Sequence, residues 1–285
     1  MHRREFLKAG IGIGAGLLVS SRAEATDARP LLVGTTPVFL DDEVAFLREW
    51  QAYLVEQLQR SVTFVHRGTY REISDLVLSE KIDAAWVCGF PYMRYHDRMR
   101  LLAVPTYQGK PLYRSYVIVP NTDTTTASIL DLRGKIYAFS DPDSNSGWLV
   151  PQAELQRNGR DRATFFRKSF FTYAHRRVVD AVAAGVAQGG SVDGYVWDTL
   201  QVLHPELTRK TRVASKSPEF GFPPLVARTN LPESEFRQLQ DVLVRMQSEQ
   251  AGLLLLHKLN LDGFQPGNDQ LFAGIAANMQ LLRIT

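Results

Sequence analysis

The chain has 285 residues, 45% of them apolar, with one cysteine and a formal net charge of +3. That length and composition suit two globular domains of ordinary size. The near-balanced charge lacks the basic excess of a nucleic-acid binder, so no nucleic-acid partner is expected, and a lone Cys88 rules out internal disulfides and four-cysteine metal sites.

The first residues stand apart. Arg3 and Arg4 precede Glu5-Phe6-Leu7-Lys8 and a glycine-rich apolar run, AGIGIGAGLLV, which is too short to hold a bilayer as a stable anchor. The spacing resembles the twin-arginine leaders of bacteria, and Ala23-Glu24-Ala25 offers small residues around a cut before Thr26. Residues 1–25 are therefore expected to be an export signal. With the leader's charges set aside the rest is close to neutral, and no cysteine follows the cut to carry a lipid. The mature chain is expected to be soluble in the periplasm.

After the cut, Leu31 to Gly34 reads as a strand running into Thr35-Thr36-Pro37, where Pro37 holds Thr36 extended. Asp41 can cap a helix in which Val44, Leu47, Trp50, Leu54 and Leu58 recur at helical spacing. The alternation continues with VTFVHR as strand, TYREISDLVLSEK as helix, IDAAWVCG as strand and FPYMRYHD as a helical start. LLAVPTY and YRSYVIVP follow as strands. Such alternation predicts an α/β fold with a largely parallel sheet. The polar stretch NTDTTTASILDLRGK reads as a passage into a second lobe beginning near Asn121. There KIYAFS reads as strand, Gly147 to Asn158 and RVVDAVAAGVA as helices, and VDGYVWD as strand. The tail turns helical again in SEFRQLQDVLVRMQSE and GLLLLHKL.

Between KIYAFS and the next helix stands a polar corner, Ser144-Asn145-Ser146-Gly147. The first N–H groups of a helix have no partner within it and carry the positive end of its dipole, so an anion can sit on the axis. Gly147 lets a ligand approach the backbone, and Pro151 needs no donor near a first turn. By residue type alone an ordinary capped turn would look the same.

Several stretches together resemble the phosphate/phosphite/phosphonate-type substrate-binding proteins of ABC transporters. They are IDAAWVCGFPYMR, LRGKIYAFSDPDSNSGWLVPQAEL, VVDAVAAGVAQGGSVDGYVWD, FPPLVARTNLP and LLLLHKLNLDGF, in the family's order across most of residues 31–264. The resemblance implies two α/β lobes of the type II periplasmic-binding-protein fold, joined by two crossovers, with ligand in the cleft and closure about a hinge. It suggests lobe 1 from residues 26–120 plus 214–285, lobe 2 from 121–213, and an oxyanion seat at Ser144, Asn145, Ser146 and Gly147. His175 falls where the family has a histidine between serine and aspartate, but Ala174 and Arg176 flank it here. Asp198 matches the family's aspartate after a strand, and a carboxylate there favours a protonated oxyanion or an amine-bearing ligand.

Further cleft candidates follow from strand ends, where open α/β sheets bind ligands. Thr35, Thr36 and Phe39 follow the first strand, although a plain proline loop would read alike. Cys88, Gly89, Phe90 and Tyr92 end another strand, with Cys88 also readable as small buried packing. Tyr195 and Trp197 could wall the cleft or simply fill the core. The expected function is capture of a small oxyanion such as phosphite, phosphonate or phosphate for an ABC importer. The expected receptor is a monomer without cofactor or metal, delivering to an inner-membrane permease, and performs no catalysis, since no G-x-S-x-G, H-E-x-x-H or phosphate-loop motif is present. The alternative is an arsenite-type oxyacid sensor using Cys88 and signalling to a membrane histidine kinase.

Overall fold

The computed structural model describes residues 29–36 and 44–284; the leader, Phe39 and Asp41 lie outside the described residues. Strand β1 (Leu31–Thr35) leads to helix α1 (Val44–Leu58), whose Phe46, Trp50, Tyr53 and Leu54 turn inward as their spacing predicts. Strand β2 (Val62–His66) gives way to α2 (Tyr70–Leu78), where the Thr69 hydroxyl caps the start by accepting the Glu72 N–H at 3.2 Å. Strand β3 (Ala84–Trp86), buried throughout, feeds the short helix α3 (Gly89–Arg94), and β4 (Met99–Thr106) ends this run.

The chain then crosses over through β5 (Leu112–Tyr113) into β6 (Ser115–Pro120) and β7 (Ile136–Phe139). Next come α4 (Val150–Arg157), β8 (Lys168–Phe171), α5 (His175–Ala183), β9 (Gly189–Asp193), α6 (Gly194–Leu203), α7 (Pro205–Thr208) and β10 (Thr211–Lys216). It returns through β11 (Phe220–Gly221) to β12 (Leu225–Arg228), α8 (Glu233–Arg245), α9 (Gln250–Lys258), β13 (Gly263–Gln265) and α10 (Ala273–Leu282).

Two sheets result. The first has the order β13-β4-β12-β3-β1-β2 and the second β10-β6-β9-β7-β8, with β5 and β11 paired as a two-stranded ribbon between them. In each sheet three strands run parallel, β2-β1-β3 and β8-β7-β9, and the strand that follows a crossover lies antiparallel beside them. The two crossovers therefore run side by side, a natural hinge.

Two expected boundaries move. Ser115–Pro120, assigned from sequence to the first lobe, pairs with β9 and β10 in the second sheet. The polar stretch from Asn121 is thus not the crossover; its Ile129 and Leu132 are buried in the second lobe's own core beside Tyr137 and Phe139. VDGYVWD is strand only to Asp193, whose carboxylate accepts the Tyr195 N–H at 2.9 Å and starts α6, so Tyr195, Trp197 and Asp198 are helical.

Candidate ligand-binding site

The polar corner is a turn of π-helix, Asn145–Leu149, running directly into α4. The Leu149 N–H reaches back five residues to the Ser144 carbonyl at 3.0 Å, and the Val150 N–H reaches Asn145. The next donor in that series would be residue 151, which is proline and has none. The orphaned Ser146 carbonyl is met instead by the Ser115 hydroxyl from β6 at 2.6 Å. Ser144 Oγ caps the turn by accepting the Gly147 N–H at 3.0 Å. Gly147 is required here, because a β-carbon would stand 1.8 Å from Ser140 Oγ.

The first lobe closes onto this corner. The Asn145 N–H donates to Cys88 Sγ at 3.2 Å, Asn145 Nδ2 donates to the Tyr113 hydroxyl at 2.9 Å, and the Tyr70 N–H donates to Asp141 Oδ2 at 3.3 Å. Around the rim, Arg71 and Arg94 both contact the Asp143 carboxylate, Arg71 through Nε at 2.7 Å and Nη2 at 2.9 Å. Phe90 stacks on Trp148 at 6.2 Å, sealing another side.

Sealed inside are polar atoms that no protein partner satisfies. Among the described residues, Tyr70 Oη, Ser140 Oγ, Asn145 Oδ1 and Ser146 Oγ are fully buried without a well-formed hydrogen bond. Each such atom costs about 1–3 kcal/mol in a dry interior, so four at one lobe junction mark a place built to meet something polar.

Charge at the junction is low. The Asp193 N–H donates to His175 Nδ1 at 3.0 Å, which leaves the proton of the neutral ring on Nε2, 3.5 Å from Ser144 Oγ. Burial holds the His175 pKa down at about 3, so the ring is neutral at physiological pH. Burial likewise pushes the Cys88 thiol up to about 12 and the Asp193 carboxyl up to about 8, and raises Asp141. The Tyr70 and Tyr113 phenols are held well above their usual range, chiefly by burial, although the nearby Ser146 hydroxyl tempers the rise at Tyr113. What converges is a set of neutral O–H and N–H donors.

The family described as the periplasmic substrate-binding protein of phosphonate ABC transporters matches residues 33–272. The chain belongs to that family. Among its relatives it is 26% identical to the phosphonates-binding periplasmic protein of Escherichia coli (strain K12) over 66% of this chain and 57% of the relative. It is 25% identical to the phosphate-import protein PhnD of Mycolicibacterium smegmatis over 52% of this chain and 48% of the relative. The chain thus matches about half the length of these relatives. The fold superposes with a TM-score of 0.81 on a binding protein of a Pseudomonas aeruginosa ABC phosphonate transporter, at 23% identity over 89% of this chain and 87% of that one. The same score relates it to PhnD1 from Prochlorococcus marinus, solved with methylphosphonate, at 19% identity over 90% and 98%. The architecture is that of the type II periplasmic binding proteins.

Within this phosphonate-binding family member, the expected residues divide. Ser144, Asn145, Ser146, Gly147, His175 and Cys88 come together at the junction. Thr35 and Thr36 are buried at the carboxyl edge of the first sheet, but Thr36 Oγ1 donates to the Trp86 carbonyl at 3.2 Å and Thr35 Oγ1 lies 3.5 Å from His66 Nδ1. A β-carbon on Gly89 would meet Ile275 at 2.7 Å and Phe272 at 3.2 Å, so the glycine lets these side chains pack close. The Tyr92 hydroxyl is committed to Asp269 at 2.5 Å, facing the C-terminal helix. Tyr195 donates to the Leu259 carbonyl and packs on Tyr107 and Phe222. Asp198 accepts from the Tyr107 and Tyr116 hydroxyls at 3.1 and 3.0 Å, in a separate groove of about 770 Å³ shared with Lys216 and Lys258.

Sequence reasoning passed over Tyr70, Tyr113, Ser140, Asp141 and Asp193. Tyr70, Ser140 and Asp193 each follow or end a parallel strand, β2, β7 or β9, so the strand-end rule applied to Thr35 and Cys88 reaches them too.

Proposed function

We propose that this chain is the periplasmic receptor of an ABC importer, taking a small oxyacid of the phosphonate, phosphite or phosphate type between its lobes and presenting it to the inner-membrane permease. The observation that carries the reading is the set of buried, unpartnered Tyr70, Ser140, Asn145 and Ser146 side-chain oxygens at the lobe junction. Three are hydroxyls that can donate to oxyanion oxygens, joined by His175 Nε2–H and the start of a helix. The receptor works as a monomer, and its part is capture and release without chemistry. Export by the twin-arginine route, with a cut near Ala25, fits a protein whose family is periplasmic.

The arsenite-sensor alternative is not favoured. The relatives named above are a phosphonates-binding periplasmic protein and a phosphate-import protein, and Cys88 Sγ is engaged as an acceptor for the Asn145 and Phe90 N–H groups. A thermal-shift and calorimetric panel of methylphosphonate, phosphite, phosphate, sulfate and arsenite tests the reading. Saturable binding of one of the first three, weakened about tenfold or more by Ser146→Ala, is expected. Binding of arsenite alone would refute it.

A further inference from the structure

The second lobe holds a further cavity, of about 450 Å³, between α4 and β8, the edge strand of its sheet. Its floor is aromatic. Phe139 and Phe171 sit opposite each other where β7 pairs with β8, their rings 5.7 Å apart, and Trp148 joins them from the turn that leads into α4. One wall is α4 itself, which presents Gln152 and Gln156 from the same face, one turn apart. Arg160, exposed, and Arg162, half-buried, bring two guanidinium groups from the loop after α4, and Ser169 adds a hydroxyl. Two features set this cavity apart from a gap in packing. Gln152 is 7% exposed, yet its side-chain amide forms no hydrogen bond with any described residue. An amide shut away from water costs free energy unless something polar meets it. Nor does either arginine form an ion pair among the described residues. Asp161 also lines the cavity, but its carboxylate is turned onto its own loop, where it accepts the Ala163 N–H and the Thr164 hydroxyl, each at 2.9 Å. Both guanidinium groups are therefore available to an anion.

Aromatic side chains stack on a planar ring, an unbonded amide takes a polar atom, and guanidinium groups pair with carboxylate or phosphate oxygens. A volume of this size suits a small organic molecule rather than a bare ion. We propose that the cavity is a second ligand site, which takes a small aromatic anion. The ring rests on Phe139, Trp148 and Phe171, the carboxylate or phosphate meets Arg160 and Arg162, and Gln152 bonds a polar atom between them. Occupancy of this site needs no oxyacid between the lobes. The two places are neighbours all the same, because Trp148 also stacks on Phe90 across the lobes, so an occupant would touch a ring that helps to seal the junction.

Calorimetric titration of the purified protein with benzoate and with phenyl phosphate tests the site, the two probes separating a carboxylate from a phosphate ester as the anionic group. At least one should bind saturably, with a Kd on the order of 0.1–1 mM for so small a ligand. Its cyclohexyl counterpart, equal in charge but without the aromatic ring, should bind about threefold or more weakly. Replacing both arginines, Arg160→Ala with Arg162→Ala, should weaken the probe about tenfold or more. Gln152→Leu should weaken it about threefold or more and leave the ligand-free melting temperature equal or higher, since an apolar side chain of similar size replaces an unbonded amide. Ser146→Ala, at the junction, should leave the probe's affinity as it was. Failure of both probes to saturate by about 10 mM overturns the proposal. So does equal binding of the cyclohexyl compound, an affinity unmoved by loss of the two arginines, or a loss in Ser146→Ala, which would put the probe at the junction instead. A Gln152→Leu protein that melts lower and binds as before overturns it too, because the amide would then be bonded within the protein. Should that variant fail to fold, the arginine pair and Ser146→Ala decide.

Discussion

Asp143 allows the closing of the lobes to be tested without touching the candidate ligand donors. It stands on the second lobe one residue before Ser144, and both of its arginine partners come from the first. The clasp therefore exists only when the lobes meet. Arg71 engages it through two parallel N–H bonds, the strong geometry for a guanidinium and a carboxylate. The Asp143 side chain is 7% exposed, but that of Arg71 is 50% exposed, so water screens much of the attraction. An exposed pair contributes under about 1 kcal/mol, and a bidentate pair with one buried partner somewhat more. Asp143→Asn should thus weaken the clasp by about 1–2 kcal/mol. The whole loss falls on the closing equilibrium and appears as about 5- to 30-fold weaker ligand binding. Stopped-flow measurement with methylphosphonate should find the change in the dissociation rate, with association nearly unaltered. The gap between the two proteins should narrow as salt is added. Equal dissociation rates at low salt would refute the clasp, and so would a loss that salt leaves untouched.

Three further outcomes are expected. Between pH 6.5 and about 8 the unfolded Asp193, with its ordinary value of 3.8, is ionised while the folded one keeps its proton, so the unfolded state binds fewer protons and stability falls with rising pH by up to about 1.4 kcal/mol per unit. His175, neutral in both states above 6.5, does not offset this, and melting curves of Asp193→Asn across that window should lose the slope; an unchanged slope would point to another group. Gly147→Ala forces a β-carbon to 1.8 Å from Ser140 Oγ and should cost about 1–3 kcal/mol together with binding; adding Ser140→Gly should recover the melting temperature and not the binding, which differential scanning calorimetry and titration can separate. With its thiol pushed up to about 12, Cys88 should resist alkylation in the native protein, and Cys88→Ser should bind methylphosphonate within a few-fold of the unsubstituted chain; rapid native labelling with iodoacetamide would contradict that burial.

Much of this arrangement could be read from residue order because local and global signals agree. Trp50 and Leu54 recur at helical spacing and do pack inward, and Gly147 and Pro151 stand where a helix begins. The errors arise where one segment satisfies two periods. YVW after Asp193 is apolar enough for a central strand or a buried helix, and only the Asp193 cap decides between them. Reading the strand five residues too far placed its carboxyl end at Asp198 and so missed the carboxyl that faces the junction. Tyr70 was hidden for a related reason: it heads a helix whose inward face also carries Ile73 and Val77, so it reads as core, and only the enclosing lobe leaves its hydroxyl without a partner. The lobe boundary slipped because NTDTTTASILDLRGK is polar overall, while two of its few apolar residues, Ile129 and Leu132, are fully buried.

A receptor that holds an anion chiefly with neutral hydroxyls must gather many weak donors at once. Each neutral hydrogen bond contributes about 0.5–1.5 kcal/mol net, so the Ser140, Ser144 and Ser146 hydroxyls of the second lobe give little until Tyr70 arrives from the first. Until a ligand does arrive, the closed form carries buried hydroxyls with nothing to bond, which disfavours closure by a similar amount per group. A ligand therefore acts twice, adding its own bonds and removing a standing penalty, and that differential is what shifts the lobes toward closure. Ser146→Ala separates the two effects. Removing an unsatisfied hydroxyl should leave the ligand-free melting temperature equal or slightly higher, while methylphosphonate affinity falls by about tenfold or more as one donor is lost. A variant that melts lower without ligand, yet binds methylphosphonate as before, would mean that the Ser146 hydroxyl is satisfied within the protein, and that the donors meant for the anion lie elsewhere.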